Sequence, residues 1–205
     1  MKKIMFNDRY GLTQAVLEGR KTMTRRIIKG IYVAVIHLKY EGYFIGKTAD
    51  GESVILPQPT YKIGEEVAIA QPYKNDGVLT HNAYNEDGTT REDVFQRHKE
   101  MLGSKGYRNK MFVKAEYMPH RIRITGIKVE RLQDITEQEC ICEGIKIKKG
   151  NRNGECPFGE FTFDGWDDYS FTAREAFAAL IDRISGRGTW QRNPWVYVYE
   201  FELLK

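Results

Sequence analysis

Residues 19–26 gather cations and hydroxyl groups into one short segment, which is the part of the sequence best suited to chemistry. The segment reads GRKTMTRR and contains Lys21, Thr24, Arg25 and Arg26. The planar guanidinium groups of Arg25 and Arg26 can hold a phosphate or a carbonyl oxygen through paired hydrogen bonds, while the hydroxyl groups orient the ligand. A run of charges is also the usual composition of a solvated surface. The segment alone allows both interpretations.

A second stretch threads aromatic side chains through basic ones and contains one acid, Glu116. Its members are Lys105, Tyr107, Arg108, Lys110, Phe112, Lys114, Tyr117, His120, Arg121 and Arg123. Nucleic-acid bases can stack on such rings while the cations follow the backbone phosphates. Alternatively, Phe112 and Tyr117 belong to the core and their charged neighbours keep the surface hydrated. The sequence leaves both interpretations open.

Two predicted elements deliver the chain to the first segment. Apolar residues at roughly helical spacing predict a helix over residues 8–17, and Gly19 is well placed as the left-handed residue that ends it. Residues 22–28 then read as a strand. On a regular strand Lys21 and Thr24 would point to opposite faces, because they are three positions apart. A turn or bulge between them is therefore required for the two side chains to converge.

The remaining pattern predicts an α+β fold in a single domain over residues 1–205. Strands are predicted at residues 31–38, 43–46, 54–57, 64–70, 121–132 and 195–204, and capped helices at residues 136–144 and 172–186. Because helices do not regularly separate the strands, the pattern favours a small, partly closed β-barrel of about six strands over a βαβ sheet. The polar region at about 73–106, with one helix near 91–102, is interpreted as an insertion. Residues 146–168 are predicted to be a loop.

The composition is that of a mildly basic globular protein. Of the 205 residues, 41% are hydrophobic and 29% are charged, and the net charge is +4, so an anionic partner must be recognised by a local patch. Three cysteines without a CxxC pair, and a start without an apolar signal segment, indicate a cytoplasmic protein. The longest apolar run is too short to span a bilayer, so no membrane role is expected. Cys140 and Cys142 lack a second ligand pair, so neither a metal nor a cofactor is predicted.

Four segments occur in a characteristic order: GRKTMTRR at 19–26, GEEVAIA at 64–70, YMPHRIRITGIKVERLQDITEQECICEGI at 117–145 and NPWVYVYEFELL at 193–204. Their order and spacing resemble the ASCH domain of the PUA-like superfamily, in the branch common among bacteriophage proteins. The resemblance implies a β-barrel related to the PUA fold, with a cleft beside the barrel that binds RNA or a nucleotide.

The same resemblance implies candidate catalytic residues. Some small ASCH proteins are amidohydrolases that deacylate N4-acetylcytidine with a lysine, a threonine and a glutamate, and the matching positions here are Lys21, Thr24 and Glu143. Neighbouring cations are expected to disfavour the protonated form of Lys21, which suits it to activate Thr24. Glu143 ends its helix at the negative pole and is expected to act as an acid. The chain departs from the compact enzymes in its insertion and in the Arg25–Arg26 pair.

Three hypotheses follow. The first is an RNA- or nucleotide-binding module; its expected ligand-binding residues are Arg25, Arg26, Lys110, Tyr117, His120, Arg121 and Asn193. The second is a hydrolase of N-acylated pyrimidine nucleosides in which Thr24 attacks the acyl carbon. The third is an interaction protein that presents the insertion to a protein partner.

Overall fold

The computed structural model describes residues 1–30, 32–38, 43–75, 77–78, 92–148 and 160–204. Much of the predicted insertion, residues 79–91, lies outside the described residues. Within them, the α-helices are α1 (Leu12–Leu17), α2 (Glu92–Gly103), α3 (Glu137–Cys142), α4 (Ala173–Ser185) and α5 (Thr189–Arg192). The strands are β1 (Lys2–Ile4), β2 (Met23–Ile27), β3 (Ala34–Leu38), β4 (Tyr43–Lys47), β5 (Ser53–Ile55), β6 (Glu66–Ile69), β7 (Arg121–Arg131), β8 (Lys146–Lys148), β9 (Glu160–Thr162) and β10 (Trp195–Leu204). None of these helices is long and apolar enough to cross a membrane. The predicted α+β class is confirmed.

The largest sheet has five strands in the order β1-β6-β7-β10-β2. β1 and β6 are parallel, whereas β6 and β7, and also β10 and β2, are antiparallel. In the last pair Thr24 lies opposite Tyr199 and Arg25 lies opposite Val198. Because directly opposed residues of an antiparallel pair share a face, this register decides which side chains surround each residue of β2.

Two smaller sheets accompany the large one. β3, β4 and β5, which overlap the strands predicted at residues 31–38, 43–46 and 54–57, form an antiparallel meander, and Gly51 (φ +85°) lies in the turn between β4 and β5. β8 and β9 pair as a two-stranded antiparallel ribbon, so the prediction of a loop throughout residues 146–168 is wrong at residues 146–148 and 160–162. The ribbon is short and carries lysines at both ends of β8, which hides the alternating apolar pattern from which strands are identified.

Contacts divide the chain into two compact units. Unit 1 contains residues 1–6, 66–123 and 203–205. Its buried core consists of Ala68, Ala70, Tyr73, Val78, Met101, Val113, Ala115 and Met118. Unit 2 contains residues 7–65 and 124–202. Its fully buried side chains include Val16, Leu132, Ile135, Phe163, Leu180 and Tyr199.

Candidate functional site

A Schellman motif at the end of α1 sets the direction of the chain at Lys21. Gly19 adopts the left-handed conformation (φ +72°), as predicted, and its N–H donates to the carbonyl of Val16 at 2.9 Å. The N–H groups of Arg20 and Lys21 both donate to the carbonyl of Ala15 at 2.9 Å. These bonds satisfy the last helical carbonyls and turn the chain sharply. Lys21 is thereby held just before β2.

The two ends of α3 set the position of Glu143. Thr136 and Glu139 form the predicted capping box, and Glu143 is the last residue with helical geometry. Gly144 follows with φ +107°, a value that favours glycine. A Cβ atom at this position would lie 3.1 Å from Cδ2 of Leu12. The end of α3 therefore packs closely on α1, the helix that delivers Lys21.

Lys21 and Glu143, 122 residues apart in the chain, meet as a buried ion pair. Nζ of Lys21 lies 2.5 Å from Oε2 of Glu143, and the two side chains are only 2% and 5% exposed. Nζ also donates to the main-chain carbonyls of Glu143 (2.8 Å) and Met23 (2.7 Å). Lys21 therefore both neutralises the carboxylate and binds a carbonyl at the end of α3, where a cation is favourable.

Arg25 extends this pair into a larger network. Its Nη1 lies 3.1 Å from Oε1 of Glu143, and its Nη2 lies 2.6 Å from Glu130 and 3.0 Å from Glu139. Lys128 completes the network, with Nζ at 2.8 Å from Glu130 and 2.6 Å from Glu139. We call this group the ion cluster: Lys21, Arg25, Lys128, Glu130, Glu139 and Glu143. It contains as many carboxylates as cations, so its formal charges balance.

The pKa values in the ion cluster follow from burial and from the opposite charges. Burial lowers the pKa of Lys21, and Arg26 and Arg25 lower it further, against the opposing effect of Glu143. The expected direction is thus confirmed, although burial is the main cause. For Arg25 and Lys128 burial acts to lower the pKa, but their glutamate partners outweigh it and raise the pKa. Burial acts to raise the pKa of Glu139, but Lys128 and other hydrogen-bond and charge partners lower it overall.

The opposite face of β2 has a different composition. Thr24 and Arg26 lie directly across from Tyr199 and Tyr197 of β10, so these four side chains share one face while Arg25 points to the other. The ring of Tyr61 meets that of Tyr199 edge-on, with centroids 5.3 Å apart. We call these five residues the tyrosine face. Thr24 and the tyrosines are buried, whereas Arg26 is exposed.

The tyrosines are fixed by hydrogen bonds as well as by packing. The hydroxyl of Tyr197 donates to the carbonyl of Pro57 at 2.6 Å, and the hydroxyl of Tyr199 accepts from the N–H of Thr60 at 2.9 Å. Burial raises the pKa of Tyr197 to about 12. These rings remain neutral at physiological pH and form a rigid support beside Arg26.

The structure brings Lys21 and Glu143 together but places Thr24 differently. Because β2 begins at Met23, Lys21 precedes the strand and its side chain need not follow the strand alternation. Its Nζ reaches the carbonyl of Met23, which belongs to the peptide bond joining Met23 to Thr24. The side chain of Thr24, in contrast, belongs to the tyrosine face. Lys21 therefore contacts the backbone next to Thr24. Arg25, on the face of β2 opposite to Thr24, contacts Glu143, as Lys21 does.

Four other predicted ligand residues lie in unit 1. Nζ of Lys110 donates to the carbonyl of Phe6. The hydroxyl of Tyr117 donates to Glu100 at 3.0 Å, and its half-buried ring packs against the core of unit 1. His120 is half-buried and its carbonyl accepts from the N–H of Ile69 at 2.9 Å. Arg121 begins β7, and its ligand role, like that of the other three, stays a prediction.

Asn193 lies in unit 2, two residues before the start of β10. Among the described residues other than glycine, Asn193 is the one whose backbone is left-handed (φ 44°). Its Oδ1 accepts from the N–H of Gln133 at 2.8 Å, and its carbonyl accepts from Arg131 at 3.1 Å. These bonds tie the start of β10 to the segment that ends β7. The role of Asn193 in ligand binding stays a prediction.

Sequence reasoning missed half of the ion cluster. Glu139 was identified only as part of a capping box, although its carboxylate also contacts Arg25 and Lys128. Lys128 and Glu130 were not singled out within the strand predicted over residues 121–132. The sequence does contain a signal for these two residues. Lys128 and Glu130 are two positions apart and so share one face of the strand, and charged side chains on a covered face require partners.

The sequence matches no protein-family model and no curated protein, and the structure matches no solved structure.

Proposed function

We propose that this chain is an ASCH-type domain with a PUA-like small barrel, and that it binds RNA or a nucleotide at the tyrosine face. The observation that carries the proposal is the division of the arginine pair. Arg25 is enclosed by carboxylates, whereas Arg26 is exposed beside buried tyrosines and the hydroxyl-bearing Thr24. We therefore assign the phosphate contact to Arg26 and a positioning role to Arg25.

The chemistry of this face suits a phosphorylated ligand. The guanidinium of an arginine presents paired donors that match two oxygens of a phosphate. β10 fixes the backbone opposite Arg26, and the bound hydroxyls of Tyr197 and Tyr199 fix the rings. A rigid support reduces the entropy that is lost when a ligand is bound.

Titration of a fluorescein-labelled single-stranded RNA, followed by fluorescence anisotropy over a series of salt concentrations, tests the proposal. Each phosphate contact to a single strand contributes about 0.7 to the slope of log affinity against log salt. Arg26→Ala is expected to weaken binding and to reduce the slope by about 0.7. Arg187→Ala removes an exposed arginine elsewhere in unit 2 and serves as the matched control. Equal slopes for the wild type and Arg26→Ala would overturn this assignment.

A second candidate function, deacylation of an N4-acylcytidine, is favoured by the Lys21–Glu143 pair. The resemblance implied these two residues as catalytic partners, and they form a buried contact of 2.5 Å. Such a reaction requires Lys21 to release its proton and the Thr24 side chain to turn from the tyrosine face toward Lys21; the Thr24 hydroxyl then attacks the acyl carbon while the amine of Lys21 takes its proton. The C–N bond breaks, the leaving cytidine nitrogen receives a proton from the cluster, and water then hydrolyses the threonine ester to free the enzyme and the acid.

Incubation with N4-acetylcytidine, followed by chromatography for cytidine and acetate, tests the second candidate. Thr24→Val removes the nucleophilic hydroxyl with little change in volume, and Thr22→Val removes a neighbouring hydroxyl as a control. Release of cytidine by the wild type and by Thr22→Val, but not by Thr24→Val, supports deacylation. Absence of release at high protein concentration excludes this substrate and leaves binding as the proposal.

A further inference from the structure

Residues 105–114 of unit 1 form a tightly anchored turn, which we call the Phe112 turn. It consists of successive 3-10 turns at Lys105–Tyr107 and Lys110–Phe112. The N–H of Tyr73 donates to the carbonyl of Gly106 at 3.1 Å, and the hydroxyl of Tyr73 accepts from the N–H of Lys114 at 2.7 Å. A Cβ atom on Gly106 would lie 2.6 Å from the Tyr73 ring. Tyr73 therefore holds both ends of the turn.

Lys3 fixes the tip of the same turn. Its Nζ donates to the carbonyls of Met111 at 2.7 Å and Val113 at 2.6 Å. The side chain of Asn109 accepts from the N–H of Met111 at 3.0 Å. The backbone on either side of Phe112 is thus held by side chains, so Phe112 is presented from a fixed position.

Phe112 and Met111 nevertheless project outward. Their side chains are 50% and 58% exposed. The sequence leaves open whether Phe112 and Tyr117 are core or surface residues. In the structure Tyr117 packs against the core of unit 1, whereas Phe112 is 50% exposed. Phe112 and Met111 are adjacent in the chain, so the turn presents two neighbouring apolar side chains at the surface from a backbone that is held in place.

Exposed cations belong to the same turn as this ring. Nζ of Lys105 lies 5.7 Å from the centre of the Phe112 ring, and Lys105 and Arg108 are both exposed. Lys114 is exposed too, but it is paired with Glu100. A half-exposed ring with a cation over it, in a turn that carries a second exposed cation, complements a stacked base and its phosphates, whereas the centre of a protein–protein interface is depleted of lysine.

We propose that the Phe112 turn is a second contact surface for single-stranded RNA, where a base stacks on Phe112 and Lys105 and Arg108 contact the adjoining phosphates. The proposal rests on the proposed function for the class of ligand, but the Phe112 turn belongs to unit 1 and Arg26 to unit 2. The two contributions differ in kind, since stacking is insensitive to salt whereas phosphate contacts are not.

The test uses the anisotropy titration of the full-length chain with a labelled single-stranded oligouridine. Phe112→Ala is expected to weaken binding about tenfold without a change in the salt slope. Phe112→Tyr should bind as the wild type does, because it keeps a stacking ring. Arg108→Ala is expected to reduce the slope by about 0.7. Phe171→Ala, which removes an aromatic side chain of similar exposure (60%) in unit 2, is the control.

Ultraviolet cross-linking of the same complex, followed by mass spectrometry of the peptides, supplies a second measurement. A nucleotide adduct on the peptide that contains Phe112 supports the proposal. If Phe112→Ala and Phe171→Ala both bind as the wild type does while Arg26→Ala binds weakly, the Phe112 turn is not a binding surface and the proposed function stands. If the wild type does not bind RNA at all, both proposals fail.

Discussion

Replacement of Lys21 by methionine removes one charge from the ion cluster and keeps most of the side-chain volume. Glu143, 5% exposed, loses its contact of 2.5 Å but keeps Arg25 at 3.1 Å. The carbonyls of Met23 and Glu143 also lose their donor. Loss of one partner from a buried ion pair costs about 3–5 kcal/mol in the free energy of unfolding. Because Arg25 remains beside the same carboxylate, we expect Lys21→Met to cost about 3 kcal/mol.

Urea denaturation followed by tryptophan fluorescence measures this change in the relevant part of the chain. Trp166, Trp190 and Trp195 all lie in unit 2, as does the ion cluster. For a urea dependence of about 2 kcal/mol per molar, a loss of about 3 kcal/mol lowers the midpoint by about 1.5 M.

Lys146→Met provides the matched comparison. Lys146 pairs with Asp164 in unit 2, but the two side chains are 37% and 42% exposed. An exposed pair of this kind contributes at most about 1 kcal/mol. A fall in midpoint for Lys21→Met that is no larger than that for Lys146→Met would refute the reasoning, because burial would then add nothing to the strength of the pair.

Three further measurements test the site and its supports. The partners of Glu139 hold its pKa below 4.5 in the folded protein, so its stabilising contribution is present above that value and is lost as pH falls through the folded pKa. The difference in urea midpoint between the wild type and Glu139→Gln should therefore shrink in acid, and a constant difference would contradict this. Gly144→Ala should destabilise the protein more than Gly19→Ala. Both glycines follow a helix and have a positive φ, but a new Cβ would lie 3.1 Å from Leu12 only at Gly144. Equal urea midpoints for the two variants would argue against that contact. Burial raises the pKa of the Cys140 thiol to about 12, so iodoacetamide should leave Cys140 unmodified until urea unfolds the protein. Mass spectrometry measures this modification, and labelling in the folded state would show that the thiol is accessible.

Local signals account for the parts of the fold that the sequence predicted well. Gly19 and the Thr136–Glu139 capping box each act within a few residues, and each appears where predicted. The helix predicted over residues 8–17 instead divides at Gly11 (φ +64°) into a 3-10 turn and α1. A Cβ on Gly11 would overlap the carboxylate of Asp164, a long-range contact that no local pattern reveals.

Pairings between distant segments account for most of what was missed. β1 is short and joins β6 as a parallel neighbour, and nothing in the sequence of β1 specifies that partner. The ion cluster is a similar case. The contact between Lys21 and Glu143 was expected only through a resemblance. Glu130 and Lys128 join the ion cluster because β7, which carries them, lies next to β10, and β10 pairs with β2.

The division of GRKTMTRR between two faces changes how its charge should be interpreted. In the sequence it forms one basic patch, but the cations of the ion cluster are matched by Glu130, Glu139 and Glu143 and add no net charge to the site. The tyrosine face then has Arg26 as its cation, so binding there alone should show a salt slope of about 0.7, the value for one phosphate. A larger slope for RNA requires cations elsewhere, and Lys105 and Arg108 in the Phe112 turn are those that we propose. The measured slope therefore separates a site for a single nucleotide from a surface that follows an RNA strand.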